Sequence, residues 1–105
     1  MSRIAPPPGP PWDLPVAQAP LVFVDLEMTG LDPEIDAVVE VCAERWVGDE
    51  LVDSFLSLVK PPVAQRAHHV HGISDEMVEH APTFAECADR IAEVVEGGIF
   101  IAHAA

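Results

Sequence analysis

Basic residues are scarce in this chain of 105 residues: five lysines and arginines stand against eighteen aspartates and glutamates, which gives a formal net charge of -13. Proteins that grip nucleic acid through its phosphates usually carry a basic face, and this composition excludes an extended one. Contact with a polyanion would therefore be local, bridged by a divalent cation, or made by residues outside this chain. Weak affinity for long duplexes is expected.

Cysteines and long apolar runs are also few. Cys42 and Cys87 lie far apart without Cys-x-x-Cys spacing, which argues against a disulfide framework or structural zinc, and we expect both to be small core residues. No apolar run approaches the roughly 20 residues of a membrane span, and the first residues show no secretory signal. We therefore expect one small, soluble domain in the cytoplasm, without membrane contact.

Residues 1–20 hold seven of the eleven prolines and show no hydrophobic period. Because proline lacks a backbone N–H donor, this segment is predicted to be a Pro-rich disordered tail. Residues 21–105 are predicted to form the folded part of the chain.

The folded part begins with an apolar run. Residues 21–26 predict a buried central strand with Asp25 at its end, followed by a turn at 29–33. Residues 37–47 and 51–59 predict two more strands joined by a hairpin turn, which gives three antiparallel strands.

Two helices and a last strand follow. Ser74 is a predicted cap for a short helix, and Thr83 and Glu86 form a capping box that begins a longer one. The apolar residues at helical spacing, which predict the face that covers the sheet, are Phe84, Ala88, Ile91 and Val95. Residues 99–102 predict a fourth strand, which a crossover helix places parallel to the first.

This order predicts an α/β fold with a mixed sheet: three antiparallel strands, a crossover helix and a fourth, parallel strand. A sheet with only one substantial helix keeps an apolar face without a partner. We therefore expect a truncated domain that is marginally stable and prone to associate.

Asp25 and Glu27 are the strongest candidates for chemistry. Side chains two residues apart on a strand project to the same side, and a carboxylate pair suits a hard divalent cation such as Mg²⁺ or Mn²⁺. An alternative interpretation is a pair of turn-capping acids. Asp36 and Glu40 are interpreted as solvated acids. Asp25 differs from them, because an ionised acid at the end of an apolar strand is energetically costly without a partner.

Residues 60–73 (KPPVAQRAHHVHGI) contain three of the five histidines and no acid, and they form the one basic patch of the chain. Three interpretations are open: a place that holds substrate phosphate or base, a transition-metal site made by His68, His69 and His71, or a surface loop.

Ordered segments of the chain resemble a known family. Residues 24–33 (VDLEMTGLDP) closely resemble the first exonuclease motif of the DEDD (DnaQ-like) 3′-5′ exonuclease superfamily, and residues 39–43 are similar to its second strand. Residues 70–76 and 82–89 resemble the segments that follow in the proofreading, epsilon-type branch. Residues 101–105 resemble the start of the second motif.

The resemblance implies a ribonuclease-H-like fold and a 3′-5′ exonuclease that hydrolyses single-stranded nucleic acid, DNA in preference, to nucleoside monophosphates. It implies that Asp25 and Glu27 bind Mg²⁺ or Mn²⁺ in a two-metal site. Met28 and Thr29 would hold the terminal nucleotide, with His71 near its base and sugar. A DNA polymerase is the implied partner.

The chain also departs from the family pattern. The metal-binding aspartate of the second motif would follow Ala105, and the third motif has no counterpart in these residues. We therefore expect the N-terminal portion of an exonuclease domain, inactive by itself. Two alternatives stay open: an oligoribonuclease-like RNA exonuclease, which has a similar first motif, and a non-catalytic binding module.

Overall fold

The computed structural model describes residues 5–65 and 71–102. Four strands form one sheet in the order β3-β2-β1-β4. Their bounds are β1 (Pro20–Met28), β2 (Val38–Val47), β3 (Glu50–Leu58) and β4 (Ile99–Ala102). The first three strands pair antiparallel, and β4 pairs parallel with β1. The predicted mixed sheet with a crossover to a parallel fourth strand is confirmed.

β1 is longer than the sequence predicted. Asp25 lies within the strand, three residues before its end at Met28, and not at the strand's end. Pairing with β2 continues past it: Glu27 faces Glu40, and a bulge shifts Met28 onto Val38. The ladder persists because β2 supplies backbone partners along this whole length.

Among the described residues between β3 and β4, the chain forms the helices α1 (Asp75–Val78) and α2 (Phe84–Val95). The predicted capping box of α2 is present, with the Thr83 hydroxyl accepting from the Glu86 N–H and the Glu86 carboxylate accepting from the Thr83 N–H at 3.0 Å. This backbone hydrogen bond, with one from the Thr83 hydroxyl, lowers the pKa of Glu86. Among the residues that the structure describes, no helix has the length and apolar character that crossing a membrane requires.

The buried face of α2 matches the predicted stripe in part, since Ile91 and Val95 pack against the core as predicted. Cys87 and Val94 are buried, with Ile91 packed beside them, whereas Phe84 is 49% exposed and Ala88 is exposed. Both sets have helical spacing, so the sequence pattern alone could not choose between them. The orientation is decided by the valines of β1 and β2 that the helix covers.

Two arginines fasten α2 to the sheet. Arg45 on β2 donates to the carbonyl oxygens of Val94 (3.0 Å) and Glu96 (2.6 Å), at the C-terminal end of α2. Arg90 on α2 forms a two-point ion pair with Asp53 on β3, at 2.6 and 3.1 Å. The Arg90 hydrogen bonds lower the pKa of Asp53. Two of the five basic residues are thus engaged within the fold.

The core lies on one face of the sheet. It consists of three contiguous clusters: Val22, Ala43 and Val94; Val41, Val59 and Cys87; and Val39, Ile73 and Val78. On the other face Phe23 is 41% exposed, Ile101 37% and Leu56 67%. β1 is therefore central in the sheet but buried on one face only, which corrects the prediction of a fully buried strand.

The segment before β1 forms turns. Ala19 donates its N–H to Pro15 O at 3.0 Å and is 2% exposed, so the chain contacts the fold just ahead of Pro20. Trp12 closes an earlier turn on Gly9 O and is 43% exposed. The assignment of residues 1–20 as a disordered tail stays a prediction.

Candidate metal and nucleotide site

Asp25 and Glu27 lie on the open face of the sheet. Successive side chains of a strand point to opposite faces, and Val22 and Val24 of β1 pack into the core beneath α2. Phe23, Asp25 and Glu27 therefore point away from α2. Asp25 is exposed and Glu27 half-buried. The structure thus places both carboxylates side by side on one accessible surface.

Further acids surround the pair across β2. The register sets Glu40 directly opposite Glu27 and Cys42 directly opposite Asp25, so these four side chains share the open face. Burial, followed by the negative charges of Glu44, Asp25 and Glu40, raises the pKa of the Cys42 thiol. The prediction that Cys42 is a core residue is wrong, whereas Cys87 is buried as predicted.

Glu40 is one of the acids that the sequence pattern predicts to be solvated, but it is half-buried. The signal that could have placed it is the alternation of Val39, Glu40 and Val41. Val41 is buried against Cys87 of α2 and Val39 against Ile73 and Val78 near α1, so the residue between them must point to the face that carries Asp25. That face also has a shallow pocket of about 480 Å³, lined by Phe23, Val24, Asp25, Cys42, Glu44, Ile101 and Ala102.

Thr29, the residue after β1, is fully buried. Its backbone N–H donates to Ala37 O at 2.8 Å, and its hydroxyl accepts from Ala37 N at 3.0 Å. The same hydroxyl donates to Asp36 Oδ1 at 2.6 Å. The Thr29 hydroxyl is therefore engaged inside the loop that follows β1 and is not accessible to a nucleotide in this conformation.

Asp36 is the centre of that loop and was wrongly interpreted as a solvated acid. Besides the Thr29 hydroxyl, its carboxylate accepts the backbone N–H of Asp32 at 2.9 Å. It also lies against Gly30, where a β-carbon would come within 2.5 Å of Asp36 Oδ2. Glycine at position 30 is thus required by the close approach of this carboxylate.

His71 approaches the end of β1 from the segment that precedes α1. Its Nδ1 accepts the backbone N–H of Ile73 at 2.9 Å, so the ring proton is assigned to Nε2. Nε2 then donates to the carbonyl oxygen of Met28 at 3.0 Å. Both ring nitrogens are used by the backbone, and the structure brings His71 to Met28, a contact that the sequence did not predict.

The donor set fits a hard divalent cation in part. Carboxylate oxygens are the ligands that Mg²⁺ and Mn²⁺ prefer, and Asp25 and Glu27 present them on one face. Within residues 5–65 and 71–102, no group of three or more His, Cys, Asp or Glu side chains is arranged to hold a metal ion. The hypothetical transition-metal site at His68 and His69, and the second-motif residue His103, lie outside the described residues.

The same fold occurs in solved exonucleases. Exonuclease X in complex with 5′ overhanging duplex DNA matches 79% of this chain and 48% of its own, with a TM-score of 0.63 and 25% sequence identity. A product-bound exonuclease I matches 82% of this chain and 22% of its own, with a TM-score of 0.70 and 20% identity. The fold is thus the ribonuclease-H-like fold of these nucleases.

Sequence comparison identifies the family. Residues 22–105 match the Exonuclease family of the RNase T type. The chain is 32% identical over 93 residues to the PolC-type DNA polymerase III of Thermotoga maritima, covering 87% of this chain and 7% of that protein. It is 36% identical over 96 residues to a DNA polymerase III subunit epsilon-like protein of Rhodobacter capsulatus, covering 87% and 14%.

The chain therefore belongs to the exonuclease family of the DEDD superfamily, as residues 24–33 predicted. It spans between 7% and 14% of the length of these two relatives.

Proposed function

We propose that this chain carries the first two metal ligands of a 3′-5′ exonuclease that hydrolyses the terminal phosphodiester of single-stranded nucleic acid to nucleoside monophosphates. Asp25 and Glu27 are the proposed ligands of Mg²⁺ or Mn²⁺. Met28, Thr29 and His71 are proposed to surround the terminal nucleotide. The observation that carries the proposal is the side-by-side placement of two carboxylates on an open strand face in a chain of the exonuclease family.

A divalent cation at this place supplies Lewis-acid polarisation of the phosphodiester. The residues of the chain supply negative charge to hold the cation and a fixed backbone beside it. Met28 contributes most directly to this fixed backbone, because His71 holds its carbonyl group through a hydrogen bond. The cation would also reduce the electrostatic repulsion between the chain and its substrate. A chain with a net charge of -13 repels a polyanion unless a cation bridges the two.

DNA is the proposed substrate, and a DNA polymerase the proposed partner. Both relatives above are DNA polymerase III proteins, which supports this choice over RNA. We further propose that the 105 residues alone bind a divalent ion but release little or no mononucleotide. Two carboxylates supply too few ligands for a two-metal site in working geometry.

The test is Mn²⁺ binding by the 105-residue chain, followed by electron paramagnetic resonance of free Mn²⁺. Asp25→Asn and Glu27→Gln should each weaken binding by more than about tenfold, the loss that even residues supporting a ligand produce. Glu50→Gln is the matched control, because Glu50 is exposed at the opposite end of the sheet. Unchanged Mn²⁺ affinity in Asp25→Asn would refute the assignment.

The same protein preparations separate the rival functions. Fluorescently labelled oligo(dT) and oligo(U) are titrated with and without Mn²⁺, with Asp25→Asn as the comparison. The proposed site predicts binding that requires both Mn²⁺ and Asp25 and is tighter for oligo(dT). Tighter Mn²⁺-dependent binding of oligo(U) would favour the RNA exonuclease. Oligonucleotide binding that does not depend on Mn²⁺ would favour a non-catalytic module.

A further inference from the structure

The loop between β1 and β2 is closed around one carboxylate. Asp36 Oδ1 accepts from the Thr29 hydroxyl at 2.6 Å, and Oδ2 accepts from the Asp32 N–H at 2.9 Å. The backbone N–H of Asp36 in turn donates to Asp32 O at 2.8 Å. The start, the middle and the end of the loop are therefore joined at a single side chain.

The start of the loop is also closely packed. The Asp36 carboxylate occupies the volume that a β-carbon on Gly30 would need. Thr29 is fully buried, so water does not reach its hydroxyl. Without the Asp36 carboxylate, this buried O–H group would have no acceptor, which is costly. These contacts favour one loop conformation over the others that the nine-residue connection between Met28 and Val38 could adopt.

This loop begins two residues after Glu27. On its other side Met28 is held by His71, whose Nε2 donates to the Met28 carbonyl oxygen at 3.0 Å. The backbone that follows Glu27 is thus fixed by His71 at residue 28 and by Asp36, through Thr29, at residue 29. Both contacts therefore constrain the backbone next to Glu27.

We propose that Asp36 is a positioning residue of the metal site, which it serves by fixing the Thr29–Gly30 backbone next to Glu27. The inference rests on the proposed function and adds to it a residue that does not touch the metal. Asp36 acts through hydrogen bonds to Thr29 and Asp32, which fix the conformation of the loop. Asp25 and Glu27 contribute the ligand oxygens.

Asp36→Asn tests this with almost no change of shape. A carboxylate accepts at both oxygens, whereas an amide accepts at one end only. If the amide oxygen faces the Thr29 hydroxyl, the NH₂ group faces the Asp32 N–H and that bond is lost. The flipped amide would leave the O–H of the fully buried Thr29 without an acceptor, which costs more than leaving the exposed Asp32 N–H to water. The first orientation is therefore favoured, and the hydrogen bond from the Asp32 N–H is the one that is lost.

Two measurements are made on the 105-residue chain with Mn²⁺ alone as the probe. In Asp36→Asn the Asp32 amide should exchange with solvent about tenfold faster, the ratio that corresponds to about 1.4 kcal/mol. The Mn²⁺ dissociation constant should rise about tenfold, as for other residues that orient metal ligands. Asp49→Asn, an exposed acid in the β2–β3 turn, should change neither.

A second pair of variants keeps the test decisive if Asp36→Asn does not fold. Thr29→Val removes the hydroxyl and should weaken Mn²⁺ binding to a similar extent. Thr29→Ser retains the hydroxyl and should restore wild-type affinity, an outcome that a mere loss of core packing would not produce.

The outcomes separate the two proposals. Faster Asp32 exchange with unchanged Mn²⁺ affinity would overturn the inference and leave the proposed function standing, because Asp36 would then brace the loop without serving the metal. Unchanged exchange in Asp36→Asn would also overturn it. Failure of the wild-type chain to bind Mn²⁺ would refute the proposed function itself, and the positioning role would fall with it.

Discussion

Replacing Arg45 with methionine should loosen the junction between α2 and β4. The last carbonyl groups of a helix have no partner within the helix, and here the Arg45 guanidinium supplies one to Val94 O and Glu96 O. Methionine keeps the apolar stem of the side chain and loses both donors. The affected carbonyl groups lie just before Ile99, where β4 begins beside β1.

The expected magnitude follows from the kind of bond. Hydrogen bonds to a charged group contribute about 1.5–3 kcal/mol each, and we take about 2 kcal/mol for the two together because the bond to Val94 O is partly buried and the bond to Glu96 O is exposed. Since every 1.4 kcal/mol is a factor of ten, amides at the junction should exchange about thirtyfold faster. The reporter is the Gly98 amide, which donates to Val95 O at 3.1 Å.

The assay is hydrogen exchange of the Gly98 and β4 amides under native conditions. Arg90→Met is the matched control, because Arg90 also fastens α2 to the sheet but does so at Asp53 on β3. It should leave the exchange of Gly98 near its wild-type rate. The reasoning is refuted if Arg45→Met exchanges at the wild-type rate, or if both variants speed Gly98 exchange equally.

Two further predictions concern the fold as a whole. The pKa values of Asp53 and Glu86 are lowered by their hydrogen bonds, so the stability these carboxylates confer is present above the ordinary value of about 4 and is lost as pH falls through the lowered native values. Urea unfolding midpoints measured from pH 6 downward should therefore fall less in Asp53→Asn than in the wild type, and an equal fall would contradict the assignment. The open sheet face should bind the dye ANS and cause association as concentration rises, and Leu56→Lys should reduce both. Sedimentation that shows a monomer at every concentration would argue against this.

Local sequence signals predicted the element order well. Alternating and β-branched residues identify the strands, and the Thr83–Glu86 capping box marks the start of α2. The crossover rule then placed β4 parallel to β1. These features depend on neighbours in sequence, and so they could be predicted without the tertiary structure.

The contacts around the site could not be predicted as well from the sequence. His71 and Met28 are 43 residues apart, and no local pattern announces their hydrogen bond. Asp36 sits in an acidic stretch and looked solvated, because its partners are a buried hydroxyl and a backbone amide that only the folded loop brings to it. Glu40 could have been placed from alternation, but only once the covered face of β2 was known.

The sequence by itself determined the family, the strand that carries Asp25 and Glu27, and the side-by-side projection of their carboxylates, because strand geometry fixes that relation locally. Tertiary structure decided which face of the sheet is open, which face of α2 is buried, and how the backbone after Glu27 is held. Those outcomes depend on packing between distant segments. The valines of the sheet that pack against α2 determine which face of the sheet is buried, and His71 and Asp36 fix the residues that follow the carboxylate pair.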